Sequence, residues 1–266
     1  MDKKLIAFDM DGTLLNSKKK ISFLTRQYLK RLSKKGHIIV LASGRPSRSM
    51  INYYKQLNLS SPMVCYNGAY CFSPKDKNFK GHEYSFKKED MISFYEEIKD
   101  DVLNIMCETD EEIFVDKEDK YLDKFFWFSD MDIRVGPLKE ILNKDPMTFI
   151  GHISKDFNKF EKFEKAISKY PDIEIRYWTG SPYFELFYKQ TSKGASILEI
   201  AKYYNIKKEN IIAFGDAEND VEMLNVVGTS IAMKNSKKEL IEKAKIVTKK
   251  DNDHNGIYHT LKQILR

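Results

Sequence analysis

The sequence predicts an α/β protein with a parallel sheet, into which a second, α+β domain is inserted. Toward both ends of the chain, short apolar runs alternate with amphipathic segments, which is typical of βαβ units, whereas in the middle the strands come in adjacent pairs. The charge changes at the same places: residues 83–186 carry 15 Lys and Arg against 25 Asp and Glu, and the remainder carries 30 against 14. We therefore expect a discontinuous core of residues 1–82 and 187–266 and an insert at 83–186.

The core elements follow from runs of four to six apolar residues, which suit buried strands, and from longer amphipathic segments, which suit helices. The first core segment predicts strands in LIAFDM, HIIVLAS and MVCYNG, with helices near 22–35 and 46–58. The second predicts strands in IIAFGD, TSIAM and KIVT, with helices near 192–204, 219–226 and 236–244 and a last helix from about 256.

The insert predicts an antiparallel α+β domain, because its strands are neighbours in the sequence. A cluster of aromatic residues, DKFFWFSD at 123–130, predicts the buried face of one of its helices. The expected elements are helices 87–100, 118–129 and 156–169, paired strands within 104–116, and strands TFIGHIS, EIRYWT and YFELFYK.

Composition narrows the class of protein. The chain has 266 residues, a formal charge of +6 and three cysteines without CxxC spacing, so we expect reduced thiols buried in the core. The charged residues after Met1 and the short apolar run that follows predict neither a signal peptide nor a membrane span, and we expect a soluble cytoplasmic protein. The negative charge of the insert argues against a nucleic-acid partner, although the net charge of the whole chain is positive.

Polar residues follow several core strands at the point where each strand ends. Asp9 follows the first strand, Ser43 the second and Asp216 the strand IIAFGD. Ligands of open parallel sheets bind beyond the carboxyl ends of the strands, so these residues should lie together. The helix that begins near Ser192 should bring Lys193 to the same edge.

The two acidic motifs have more than one interpretation when each is taken alone. In DMDGT, Leu14 and Lys20 occupy the positions that an EF-hand loop needs for Gly and Glu, which excludes that calcium site. A simple Asx turn remains possible. GDAEND places Asp216, Asn219 and Asp220 after a second strand, where it could also be an acidic helix start. Carboxylates gathered on one edge repel unless a cation lies between them, and Mg²⁺ prefers such oxygen ligands.

Four ordered motifs, DMDGT at 9–13, LASGR at 41–45, SKGAS at 192–196 and GDAENDVEML at 215–224, resemble those of the haloacid dehalogenase (HAD) superfamily of phosphohydrolases. The insert between the second and third motifs is similar to the type IIB cap of the Cof-like subfamily. The resemblance covers nearly the whole chain. It implies a Rossmann-like core, a cap that sets substrate specificity, and a Mg²⁺-dependent phosphatase that acts on small phosphomonoesters such as sugar phosphates or phosphorylated cofactors.

The resemblance also implies the catalytic roles. Asp9 would attack phosphorus and form an aspartyl-phosphate, which divides hydrolysis into two displacements. Asp11 would protonate the departing oxygen and then take a proton from the attacking water. Gly12 would permit the tight turn between these two residues, and Thr13 would hold that turn.

Phosphate binding would involve Ser43, the backbone N–H of Gly44, Lys193 and Asn219, which hydrogen-bond or neutralise the phosphoryl oxygens. Two of these residues have simpler interpretations, since Ser43 could be a strand-end turn residue and Lys193 an exposed first-turn lysine. Arg45 is left out of the set, because an arginine that opens a helix is often a surface residue.

Metal binding would involve the Asp9 carboxylate, the main-chain carbonyl of Asp11 and the Asp216 carboxylate. Asp220 would support the metal through water or would position Lys193. The cofactor expected is therefore Mg²⁺, held by oxygen ligands close to the phosphoryl group.

Two other functions stay open. A phosphomutase would use the same Asp9 chemistry but would return the phosphoryl group to the sugar. A non-catalytic sensor would bind a phosphorylated ligand without turnover. We expect a small phosphorylated metabolite as the partner, with no nucleic acid and no membrane, while the sequence predicts neither its identity nor the oligomeric state.

Overall fold

The computed structural model describes residues 2–119 and 131–265. The chain divides into two compact units, a core of Met1–His82 with Thr191–Arg266 and an insert of Glu83–Gln190. The first boundary coincides with the change of charge in the sequence. The second lies beyond residue 186, because the last strand of the insert continues to Tyr188.

Strands and helices are numbered in chain order. The described strands are β1 Leu5–Phe8, β2 Ile38–Leu41, β3 Met63–Cys65, β4 Tyr70–Phe72, β5 His82–Glu83, β6 Asn104–Glu108, β7 Glu112–Val115, β8 Asp132–Val135, β9 Thr148–His152, β10 Ile173–Tyr177, β11 Tyr183–Tyr188, β12 Ile211–Gly215, β13 Thr229–Ala232 and β14 Ile246–Val247. The described α-helices are α1 Phe23–Lys34, α2 Ser47–Leu57, α3 Lys88–Ile98, α4 Leu138–Ile141, α5 Phe160–Ile167, α6 Lys193–Tyr203, α7 Val221–Val226, α8 Lys238–Lys243 and α9 Gly256–Ile264.

The core unit is built on a parallel sheet of five strands in the order β14–β13–β12–β1–β2. The central strands β1 and β12 are buried throughout, which explains why they read as continuous apolar runs, since such sheets are covered on both faces. A parallel bridge between Ala42 and Val64 brings β3 beside β2, and β3 also forms a small sheet with β4 and β5.

Helices of the core unit begin and end where local chemistry requires. The side chain of Ser22 accepts a hydrogen bond from the Thr25 N–H at 3.3 Å and caps α1. Ser192 caps α6 in the same way, through the Ala195 N–H at 3.0 Å. The α6 cap determines where the following residue, Lys193, enters the fold.

The insert is a two-layer α+β domain. Its sheet has the order β10–β11–β9–β6–β7–β8, in which neighbours are antiparallel except for the parallel pair β7–β8. Phe149 and Phe184 on one sheet face pack with Phe94 of α3 and Phe163 of α5 in a single hydrophobic core. An insert of this kind confirms the α+β prediction.

The order of core elements is as the sequence predicts, and the α/β fold class is confirmed. Three short strands, β4, β5 and β8, and the one-turn helix α4 were not predicted, because they lie outside the apolar runs and amphipathic segments that predicted the other elements. The helix expected near 118–129 and the aromatic cluster at 123–130 lie largely or wholly outside the described residues.

Two expectations from composition concern the core and membranes. Cys65, Cys71 and Cys107 are buried and form no disulfide, as expected. Across residues 2–119 and 131–265, helices with the length and apolar character needed to cross a bilayer are absent.

Candidate active site

The carboxyl edge of the core sheet carries the acidic residues of both motifs. Phe8 at the end of β1 lies opposite Phe214 of β12 and Leu41 of β2, so these three neighbouring strands end side by side. Asp9 and Asp216 follow the first two of these strands directly. The sequence prediction that strand-end residues converge therefore holds for this pair.

The turn after β1 separates the two carboxylates of DMDGT. The Asp9 N–H donates to the Phe214 carbonyl at 3.0 Å, which extends the strand pairing to Asp9 itself. Gly12 has φ +79°, and a Cβ there would collide with the Asp216 carboxylate. Thr13 donates its hydroxyl to Asp216 Oδ1 at 2.7 Å. The turn thus fixes one carboxylate from each motif.

Lys193 joins the third motif to the other two. Its side chain is completely buried, and its ammonium donates to Asp9 Oδ1 at 2.6 Å and to Asp220 Oδ1 at 2.8 Å. Burial lowers the pKa of Lys193, but the two carboxylates outweigh it and the net pKa is raised. The interpretation of Lys193 as an exposed first-turn lysine is therefore wrong.

Asp220 is held by the backbone of its own motif. Its Oδ2 accepts hydrogen bonds from the N–H groups of Asp216 at 2.9 Å and Ala217 at 3.1 Å. A side chain at position 215 would strike the Asp220 carboxylate, so glycine is required at the end of β12. Asp220 therefore has Oδ2 bound to backbone N–H groups and Oδ1 bound to the Lys193 ammonium.

Three carboxylates form an acidic cluster that could hold a metal ion. Asp9, Asp216 and Asp220 each offer an oxygen within 4.8 Å of the others. Burial raises the pKa of Asp9 well above its usual value, and Asp220 and Asp216 add to the rise while Lys193 opposes it. Burial likewise raises the pKa of Asp216 to about 6, partly against the Thr13 hydrogen bond. One ammonium beside three carboxylates, of which Asp9 and Asp220 are buried and Asp216 is half-buried, leaves a negative charge that a hard, oxygen-binding divalent cation would balance.

Asp11 lies apart from this cluster and is bound by two cations. Arg45 donates to it from Nε at 2.5 Å and from Nη2 at 2.7 Å, and Lys19 donates from Nζ at 2.5 Å. Burial raises the pKa of Asp11, but the hydrogen bonds and charges of Arg45 and Lys19 outweigh burial and hold the pKa below its usual value. In this arrangement the Asp11 side chain is a carboxylate, and both of its oxygens accept hydrogen bonds from cations.

The predicted phosphate-binding residues lie around the end of β2. Ser43 is buried, and its hydroxyl accepts a hydrogen bond from the Arg45 N–H at 3.3 Å. A Cβ at Gly44 would approach the Asn67 side chain to 3.0 Å. Asn67 in turn accepts a hydrogen bond from Asn219 Nδ2 at 2.9 Å. The structure thus links Ser43, Gly44 and Asn219 through Asn67, which has φ +54°.

Sequence reasoning left out two cations and two amides that support the site. Arg45 is buried, contrary to the surface position expected, because Asp11 neutralises it and Pro46 delays the helix start to Ser47. Lys19 gave no signal among its neighbouring lysines. Asn67, at the end of the strand MVCYNG, was not among the predicted site residues.

The second of these amides is Asn235, which supports the catalytic turn from β13. Its Nδ2 donates to the Gly12 carbonyl at 2.8 Å, and Asn252 donates to the Leu15 carbonyl at 2.9 Å. Asn235 follows the strand TSIAM by a few residues, so the strand-end rule that found Asp9 could also have found it.

Comparisons with known proteins identify the family of the chain. Residues 6–261 match the family model of haloacid dehalogenase-like hydrolases. The chain is 31% identical to 5-amino-6-(5-phospho-D-ribitylamino)uracil phosphatase YitU of Bacillus subtilis, over 97% of this chain and 96% of the relative. It is 28% identical to the putative phosphatase YxeH of the same organism, over 98% of each.

Solved structures show the same architecture over nearly the whole length. A haloacid dehalogenase-like hydrolase from Bacteroides thetaiotaomicron superimposes with a TM-score of 0.81 at 25% identity, covering 99% of this chain and 100% of that one. The family predicted from the four motifs is confirmed. The chain therefore belongs to the haloacid dehalogenase-like hydrolases, and it is a phosphoric monoester hydrolase of that family.

Proposed function

We propose that this chain hydrolyses small phosphomonoesters, such as sugar phosphates or phosphorylated cofactors, through an aspartyl-phosphate on Asp9 and with the help of Mg²⁺. The observation that carries the proposal is the buried Lys193 ammonium, which bridges Asp9 and Asp220 inside a cluster of three carboxylates. Such a cluster is poorly suited to stability alone, because buried like charges repel. It suits a site that receives a cation and a phosphoryl group.

Asp9 is the nucleophile of the proposal. One carboxylate oxygen is held by Lys193 at 2.6 Å, which fixes the side chain and leaves the other oxygen to attack phosphorus. The attack forms the Asp9–phosphorus bond and breaks the bond from phosphorus to the ester oxygen. Lys193 offsets negative charge on Asp9 and on the incoming phosphoryl group together.

Asp11 serves the leaving group and then the water. The ester oxygen needs a proton as it departs, and Asp11 can supply one only after the substrate has exchanged some of the donors that now keep its carboxylate ionised. In the second displacement Asp11 accepts a proton from water, which attacks the aspartyl-phosphate and restores Asp9. The present contacts keep Asp11 in the ionised form that this second step requires, but they also lower its basicity, so the step likewise needs some of these donors to leave.

Residues around the cluster position the phosphoryl group and the metal. The Asp9 and Asp216 carboxylates and the Asp11 carbonyl would hold Mg²⁺, which when bound orients the phosphoryl group and offsets its charge. Asp220 positions Lys193. Ser43, the Gly44 N–H and Asn219 would contact phosphoryl oxygens, as the family resemblance implies.

The substrate is expected to be a small phosphorylated metabolite. The relative YitU is named for a phosphorylated ribityl compound, so polyol and sugar phosphates are the first compounds to test. A cytoplasmic location remains a prediction from sequence.

The test is phosphate release from about a hundred phosphorylated metabolites, with and without Mg²⁺, by wild type and by Asp9→Asn, which keeps the shape but loses the nucleophilic charge. Asp132→Asn on the exposed strand β8 is the matched control. We expect Mg²⁺-dependent release that Asp9→Asn abolishes and the control retains. Release that survives Asp9→Asn would refute the aspartyl-phosphate.

The same panel separates the other functions. Transfer between the 1- and 6-positions of a hexose phosphate without net release would identify a phosphomutase. Binding of a phosphorylated compound by a folded, Mg²⁺-loaded protein without any turnover would identify a sensor.

A further inference from the structure

Lys19 is held in place by the backbone of the catalytic loop. It has φ +54°, a left-handed conformation that is uncommon for lysine. Its N–H donates to the Asn16 carbonyl at 2.8 Å, and its carbonyl accepts a hydrogen bond from the Tyr53 hydroxyl at 2.8 Å. The Asn16 side-chain oxygen accepts hydrogen bonds from the backbone N–H groups of the two residues that flank Lys19, at 3.1 Å from Lys18 and at 2.9 Å from Lys20.

This loop directs an exposed cation at the residue that serves the leaving group. The Lys19 side chain is 57% exposed, yet its Nζ lies 2.5 Å from Asp11 Oδ1. Arg45 already binds the same carboxylate through two nitrogens. The group of Asp11, Arg45 and Lys19 therefore carries one positive charge more than its carboxylate balances, and Lys19 is its solvent-facing member.

We propose that Lys19 is a specificity residue, which binds a second anionic group on the leaving-group side of the substrate. The inference rests on the proposed function, because it places the ester oxygen beside Asp11. An anion centred three to five bonds from that oxygen would lie within reach of the Lys19 ammonium. Preferred substrates would then be phosphomonoesters that carry a carboxylate or a further phosphate close to the scissile bond.

A surface ion pair is the simpler explanation of the contact, but the backbone argues against it. Exposed pairs between freely rotating side chains contribute little to stability, so they give no reason to keep a strained backbone. Here a left-handed residue, an Asn16 side chain bonded to two N–H groups and a tyrosine hydroxyl all restrict the loop. Such restriction lowers the entropy lost when Lys19 exchanges Asp11 for a substrate anion.

The experiment compares three esters on one carbon skeleton: 3-hydroxypropyl phosphate, 3-(phosphonooxy)propanoate and propane-1,3-diyl bisphosphate. We expect wild type to show kcat/KM about fivefold or more higher for an anionic ester than for the neutral one, mainly through a lower KM. Lys19→Met keeps the chain length and removes the charge, and it should bring the ratio close to one. Lys19→Arg should retain most of the preference.

Lys18→Met is the matched control, because Lys18 is a neighbouring exposed lysine on the same loop. It should leave the ratio of anionic to neutral ester unchanged. Preference for the carboxylate or for the bisphosphate alone would identify the anion. The inference would be overturned if wild type hydrolysed the anionic esters no faster than the neutral ester, or not detectably. It would also be overturned if Lys18→Met lost as much of the preference as Lys19→Met.

p-Nitrophenyl phosphate separates this inference from the proposed function. Its Mg²⁺-dependent hydrolysis by wild type reports the phosphatase chemistry without a second anion. If wild type hydrolyses this compound but shows no preference among the three esters, the role of Lys19 is refuted and the proposed function is not. Absence of hydrolysis of this compound and of every compound in the metabolite panel refutes the proposed function and the inference with it.

Discussion

Asp216→Asn should make the metal-free protein more stable while it abolishes the metal response. Asp216 is one of three carboxylates that lie within 4.8 Å of one another, and burial raises its pKa from 3.8 to about 6. Asparagine removes the charge and keeps an oxygen that can accept the Thr13 hydroxyl. The substitution therefore relieves repulsion at little cost in packing.

The magnitude follows from the pKa. Holding Asp216 ionised at pH 7, when its pKa has risen from 3.8 to about 6, costs the folded state roughly 3 kcal/mol. The side chain is partly exposed, and the loss of charge changes its neighbours as well, so we expect a gain of about 1–2 kcal/mol in the free energy of unfolding. Because the folded pKa is the higher one, the penalty is absent below pH 3.8 and complete above about pH 6.

The assay is urea unfolding of both proteins in EDTA at pH values from 4 to 8, repeated with Mg²⁺. Between about pH 4 and pH 6 the wild type should lose stability relative to Asp216→Asn, and above that range the difference should be constant. Added Mg²⁺ should stabilise wild type in proportion to the logarithm of its concentration and should have little effect on the variant.

Two results would refute this reasoning. A variant that is less stable than wild type in EDTA at pH 7 would mean that Asp216 is already compensated in the folded protein. An equal response of both proteins to Mg²⁺ would place the metal elsewhere. Asp132→Asn on the exposed strand β8 provides the control for a general effect of charge.

Three further substitutions test other contacts. Lys193→Met should lower the free energy of unfolding by about 3–5 kcal/mol near pH 7 in urea, and less at acid pH where the bridged carboxylates take up protons; a loss below about 1 kcal/mol would contradict the buried pairs. Gly12→Ala should lower the melting temperature more than Gly36→Ala, since both glycines have positive φ but only the Gly12 site lacks room for a methyl group. Equal losses would mean that the unfavourable backbone conformation accounts for the whole effect and that the contact with Asp216 contributes nothing. Arg45→Lys should reduce kcat about tenfold, because lysine cannot bind Asp11 through two nitrogens; an unchanged kcat would exclude a role.

The sequence by itself determined the core fold and the acidic edge of the sheet. Apolar runs such as LIAF and IIAFG have only one stable place, inside a sheet that is covered on both faces. Parallel strands end at a common edge, so Asp9 and Asp216 had to lie on the same edge of the sheet wherever the chain between them ran. Both conclusions depend on local pattern and on a general rule of topology.

Only the tertiary structure decided which charged side chains pair with one another. Lys193 binds Asp220 as well as Asp9, and Asp11 is bound by Arg45 and Lys19. These partners are far apart in the sequence or are hidden among similar lysines, and periodicity carries no information about them. Their pairing depends on the directions of side chains at a few turns, which change with small rotations of the backbone.

The exposed strand β8 and the boundary after β11 show the same limit for the insert. All four residues of β8 are exposed, so no apolar alternation distinguishes it from a loop, and it forms only because β7 offers an unpaired edge. Hydrophobic burial leaves a record in the sequence because it selects residue types at regular intervals. Edge pairing and charge pairing leave little record, since many residue types satisfy them and only the folded chain brings the partners together.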